Sequence, residues 1–231
     1  DQVARGELFL GHPVAADLQP SHAAAPRRPA AADDLLLNNA SFLVVRKLQQ
    51  RGDRLEAVLD AAANQAPTDQ AARLKDEIKA RMMGRRQDGQ PLVPGMGSGG
   101  GNDFSYRHDA AGLQCPHASH VRRANPREAQ RGMPLPRIVR RGMSYGSSNA
   151  SGQPDDGKER GLVFMCYASR IAEQFEVIQR WLAGGNSSGV SSEQSDPFLG
   201  VPVPGRSRIF ACDVDGRLVR VELGDQALVT L

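Results

Sequence analysis

Two of the five histidines stand three residues apart in Cys115-Pro116-His117-Ala118-Ser119-His120, beside one of three cysteines. The pattern Cys-x-His-x2-His invites a zinc reading, because thiolate and imidazole are the ligands zinc takes. A structural zinc needs four ligands. Cys166 and Cys212 lie far along the chain without paired spacing, so no fourth ligand is evident and zinc is set aside. Two surface or hydrogen-bonded histidines are the plain alternative. The second chemical feature is arginine: Arg122, Arg123 and Arg127 follow His120, and Arg137, Arg140 and Arg141 follow them. A guanidinium fork fits phosphates and paired carboxylates alike, and it also makes an ordinary solvated face. Binding single-stranded nucleic acid would call for aromatic residues among these arginines, and only Tyr106 and Tyr145 lie near.

The elements that must position these residues are legible from pattern. Ser41–Leu48 reads as a strand, Asp53–Asn64 and Asp69–Met82 as helices, and Gly84 as a helix stop. Arg137–Met143 and Gly161–Tyr167 have strand character. Ala168–Leu182 reads as an amphipathic helix, with Ile171, Phe175, Ile178 and Leu182 on one face. Arg208–Val214 and Arg217–Leu223 predict a hairpin turning at Asp215-Gly216. Glu7–Gly11 is a candidate short strand, and Ala23–Ala32, rich in alanine and proline, an exposed connection. Helices and hairpin strands without βαβ alternation predict an α+β domain.

Bulk properties narrow the function. In 231 residues, 29 Lys+Arg against 26 Asp+Glu leave a net charge of +3, too balanced to argue for nucleic acid. No apolar run approaches the roughly 18 residues that span a bilayer, so no membrane partner is expected. Three cysteines form no disulfide framework and fit a reducing, cytoplasmic-type compartment. Oligomeric state stays open, a homo-oligomer included. The chain opens Asp1-Gln2-Val3 with neither methionine nor signal-peptide pattern, which reads as a processed or trimmed product.

The run Asn102-Asp103-Phe104, then Gly112-Leu113-Gln114-Cys115-Pro116-His117-Ala118-Ser119-His120-Val121-Arg122-Arg123-Ala124-Asn125-Pro126-Arg127, resembles the haem-ligand segment of dye-decolourising (DyP-type) peroxidases. There the pattern is N-D-F followed by C-P-x-x-A-H-I-R-x-x-N-P-R. Collinear segments agree: Gly6–Gly11, Phe42–Leu48, Met83-Gly84-Arg85 with Gly89–Leu92, Ile138–Gly142, Tyr145-Gly146, Gly161–Cys166 and Gln174–Gln179. Ser119 stands where alanine is usual, and Arg86 where tryptophan often follows.

The resemblance implies a ferredoxin-like, haem-binding C-terminal half of a dimeric α+β-barrel-type peroxidase. An N-terminal arm and linker would cover residues 1–36, and the haem-binding domain residues 37–231. The implied cofactor is haem b (iron protoporphyrin IX), and the implied partners are hydrogen peroxide and a dye-like or phenolic electron donor. By position, His120 is similar to the iron ligand, and Glu176 to the carboxylate that accepts a hydrogen bond from that imidazole. Arg141 resembles the distal arginine that stabilises charge as peroxide breaks. Arg123 is placed as a haem-propionate partner, and Leu162 and Phe164 as the apolar distal wall. The family's peroxide-activating aspartate belongs to a Gly-x-x-Asp-Gly motif that this sequence lacks. The N-terminal half is therefore expected as a separate or preceding segment, and the alternative is a haem-binding module without turnover.

Overall fold

The computed structural model describes residues 3–13, 37–95, 100–127, 135–148, 156–187 and 193–230. Ten regular elements follow in chain order: β1 (Phe42–Gln50), α1 (Gly52–Ala63), α2 (Thr68–Met83), α3 (His120–Ala124), β2 (Val139–Tyr145), β3 (Gly161–Ala168), α4 (Phe175–Leu182), β4 (Arg208–Val214), β5 (Arg217–Gly224) and β6 (Val229–Thr230). Four strands form one sheet in the order β2-β3-β1-β6, with every neighbouring pair antiparallel. A strand, helices, two strands, a helix and a last strand, laid out in that order, make a ferredoxin-like α+β fold. The β4–β5 hairpin is inserted before the closing strand. It turns at Asp215 and Gly216, both with positive φ, as the Asp-Gly dipeptide predicts.

Register divides the sheet into two faces, because side chains alternate along a strand. Arg140, Gly142 and Ser144 of β2 pair with Cys166, Phe164 and Leu162 of β3, and those with Val44, Arg46 and Leu48 of β1. Helix α4 packs on this face: the Phe164 and Phe175 rings lie 6.2 Å apart, and Arg46 donates to the Gln179 side chain. The opposite face carries Leu43, Val45, Lys47, Val139, Arg141, Met143, Val163, Met165 and Tyr167. Several of its apolar members are about half exposed, among them Val45 at 55%.

The largest apolar core lies elsewhere. Leu59 and Ala62 of α1, Ile78 and Met82 of α2, and Phe210, Cys212, Val221 and Leu223 of the hairpin pack together with Ala118 and Leu228. The alternating burial of β4 and β5 arises because only one face of that ribbon meets the helices. Helix α2 ends at Gly84, whose φ of +91° suits glycine and whose amide donates to Ala80 at 2.7 Å.

Two expectations change. Glu7–Gly11 is no strand: residues 5–7 form a 3-10 turn, and the segment docks on the β3–α4 connection. There Ser169 and the Gln174 amide donate to the backbone carbonyls of Gly6 and Glu7. Gly6 and Glu7 are thus held against that connection, and Ala23–Ala32 falls outside the described residues. The helix expected from Ala168 begins only at Phe175, because Ala168 closes β3 and the Gln174 side chain accepts from the Arg170 amide at 2.8 Å.

Candidate functional site

His120 opens the short helix α3, and the loop before it is held by buried polar groups. The Asp109 carboxylate accepts the amides of Gln114 and Cys115 at 3.0 and 2.9 Å. Arg122 reaches the same carboxylate at 2.9 Å, donates to the carbonyls of Cys115 and Asp109, and lies 4.3 Å from the Tyr106 ring centre. Both members of this ion pair are almost wholly buried, so the loop has few alternatives that leave neither charge stranded. Ser119, the departure from the usual alanine, is buried and donates to the Arg81 carbonyl near the end of α2. A side chain at position 84 would meet Val121 and Ser119 at 3.2–3.3 Å, so Gly84 lets the His120 loop lie against that helix end.

The His120 ring is fixed on one side only. Its Nδ1 lies 2.7 Å from Oδ2 of Asp196, and its edge meets the Phe198 ring at 6.1 Å between centroids. Its Nε2 has no hydrogen bond among the described residues, and 30% of the side chain stays accessible. Asp196 is completely buried, and its other oxygen accepts the amides of Phe198 and Leu199 at 2.8 and 2.7 Å. Burial works against a protonated His120. The charge and hydrogen bond of Asp196 outweigh it and hold the imidazole pKa above its ordinary value, with the Arg140 charge pulling the other way.

This geometry redistributes the residues singled out from sequence. Glu176 is exposed on the first turn of α4, and the carboxylate on His120 is Asp196 instead. Arg123 is buried and spends its guanidinium on the carbonyls of Trp181, Gln194 and Gly185, closing the C-terminal end of α4. Each of its three nitrogens already donates to a carbonyl, which ties the group to the α4 end. Arg141 pairs with Met165 and stands on the sheet face opposite Leu162 and Phe164, so it cannot share a wall with them. Arg140 is on their face, and its charge is felt at His120. Leu162 and Phe164 lie together there, half-buried, as expected from their alternation.

Asp196 was missed because it sits 76 residues beyond His120 in a loop. Its local signal is Asp196-Pro197-Phe198, an aspartate able to cap the amides that follow it. Arg140 carried the same sequence signal as Arg141. Only strand parity separates them.

The family described as "Dyp-type peroxidase, C-terminal" matches residues 29–194. The chain belongs to this family. Among Dyp-type relatives, the multifunctional dye peroxidase DyP2 of Amycolatopsis sp. is 33% identical over 186 residues, covering 73% of this chain and 39% of that protein. A deferrochelatase of Yersinia pestis is 44% identical over 84 residues, covering 35% of this chain and 17% of the relative. Among solved structures, a dye-decolorizing peroxidase variant from Pleurotus ostreatus has the same fold, with a TM-score of 0.72 at 22% identity over 99% of this chain and 54% of that one. The chain thus spans less than half the length of these curated Dyp-type relatives. Among the described residues, no helix is long and apolar enough to cross a membrane.

Proposed function

We propose that this chain holds haem through Nε2 of His120 and forms the haem-binding part of a peroxidase that uses hydrogen peroxide to oxidise dyes, phenols or similar one-electron donors. The observation that carries the reading is the His120–Asp196 pair: an imidazole anchored at Nδ1 by a buried carboxylate, with Nε2 unbonded and reachable. That is the arrangement of a metal-bound histidine with its supporting carboxylate. The residues fit the group in a second respect. A porphyrin needs an apolar surface, and Leu162 and Phe164 offer one on the sheet face that bears Arg140. Haem b is the form this reading names.

When bound, haem supplies the redox chemistry by which one peroxide becomes two waters while two donors each give up an electron and a proton. The protein's own residues prepare that chemistry. Asp196 keeps the Nδ1 proton in place and the ring in one orientation, which makes Nε2 a stronger donor. Arg140 provides a fixed positive charge where a peroxide anion would develop, and such charge is worth most in a site shielded from water. Leu162 and Phe164 limit what else can enter.

The strands facing this site supply no acid. β1, β2 and β3 contain no aspartate or glutamate, so a proton-shuttling carboxylate has to come from another segment. That absence favours a second reading for the chain by itself, haem binding without turnover. Loading the chain with haemin and adding peroxide and a phenolic donor tests both. Oxidised donor formed only with haem and peroxide supports the peroxidase; a His120-dependent haem spectrum without donor oxidation supports the binding module. A chain that takes up no haem refutes both.

A further inference from the structure

Asp196 is a fully buried carboxylate whose direct partners are the His120 ring and two backbone amides, with no arginine or lysine bonded to its carboxylate among the described residues. A cation nevertheless reaches the backbone of the same residue. Arg208, at the start of β4, donates through Nη1 to the backbone carbonyl of Asp196 at 3.2 Å. Its Nε and Nη2 are buried and find no hydrogen-bond partner among the described residues. The fold makes room for this guanidinium, since a side chain at Gly200 would come within 2.7 Å of its Nη1 and 2.4 Å of the Asp196 carbonyl.

Hydrogen bonding does not account for Arg208 as it does for Arg123. Arg123 also feels the charge of Asp196, yet it satisfies three carbonyls and closes a helix end. Arg208 makes one bond and leaves two donors stranded, each desolvated without compensation. Burial pulls its pKa down, and the charge of Asp196 is the influence that opposes this. Because the stranded donors are closed to solvent, no anion reaches them, and they do not form a ligand site. What remains is charge.

We propose that Arg208 is a positioning residue that sets the donor strength of His120 by acting through the Asp196 carboxylate. The inference rests on the reading of His120 as the haem ligand. A cation close to Asp196 makes the carboxylate a weaker hydrogen-bond acceptor, so the Nδ1 proton stays on the ring and Nε2 donates less. Without that charge the proton is shared further toward Asp196, and the ring gains imidazolate character. An iron it holds is then biased toward the ferric state.

The test uses the full chain loaded with haemin, reading the ferric–ferrous midpoint potential and the iron–histidine stretching frequency of the ferrous form. Arg208→Met is expected to shift the ferric–ferrous equilibrium about tenfold toward ferric, ~59 mV for a one-electron couple, and to raise the stretching frequency. Arg208→Lys keeps the charge and the parent values. In an Asp196→Asn background, Arg208→Met has no further effect if the charge acts through the carboxylate. An unchanged potential in folded Arg208→Met protein, or the same shift with Asn at position 196, overturns the proposal. Arg208→Gln gives the same reading should the methionine variant not fold; if neither neutral variant folds while the lysine variant does, the charge serves the fold and the proposal falls. Parallel spectra of His120→Ala separate the two claims: ligation that does not depend on His120 refutes the haem reading itself.

Discussion

The loop that presents His120 and the sheet that faces it are built to different standards. In the loop, polar groups are buried and paired: Asp109 with Arg122, Ser119 with Arg81, Asp196 with two amides and the His120 ring. Ala118 joins the main core directly. On the sheet, β2 is exposed over most of its length, and the face away from α4 leaves Val45, Val139, Met143 and Tyr167 about half exposed. The difference teaches which half of the chemistry resides in this chain. On the proposed reading, the ring of His120 has to keep its orientation, and the groups that hold it, Asp196 among them, belong to this chain. The opposite wall offers a charge and apolar side chains but no acid, and its outer surface still has apolar area to cover.

Changes in the two regions should therefore differ in kind and size. Asp109→Asn leaves Arg122 buried without its counter-charge, and a cost of about 3–5 kcal/mol is expected in chemical denaturation. A loss below about 1 kcal/mol would mean that the pair does not hold the loop. Phe210→Ala empties the centre of the main core, at a similar ~3–5 kcal/mol. On the sheet the effects turn functional. Arg140→Leu should slow peroxide consumption by haem-loaded, peroxide-competent protein about 100-fold in stopped-flow measurements, the size found for single charge-stabilising donors. Arg141→Leu, on the other face, should change it less than about twofold. The reverse ranking would restore Arg141 and contradict the strand register.

Two smaller effects sharpen the contrast. Burial pushes the Cys212 thiol up to about 12, from an ordinary value of 9.0. A raised folded-state pKa gives stability that is whole below the ordinary thiol value and is lost as pH climbs through about 12. Denaturation midpoints should accordingly decline from pH 9 upward in the parent and decline less in Cys212→Ala. Val45→Lys, on the bare face, should alter stability by no more than about 0.5 kcal/mol. A larger loss would show that this face is already covered in solution.

Much of the fold was legible because the signals are local. The strand at Phe42, both helices before Gly84, and the hairpin at Asp215-Gly216 each follow from patterns within a dozen residues. The site was legible only in part. His120 stands out within its motif, whereas the partner of its imidazole arrives from 76 residues away in a loop without periodicity. Glu176 was a reasonable carboxylate by order along the chain, but the helix turns it to solvent. The places of Arg123 and Arg141 could not be read from the sequence because a basic residue's role depends on which way it points. A one-residue step on a strand reverses that direction, and a buried guanidinium beside free carbonyls is consumed by them.

The most direct test is the absorption and electron paramagnetic resonance spectrum of the haemin-loaded chain before and after His120→Ala. The parent should show a histidine-ligated ferric haem, and the variant should lose that signature, with pigment released or weakly held. Retention of the parent's axial-ligation spectrum by the alanine variant would contradict the account.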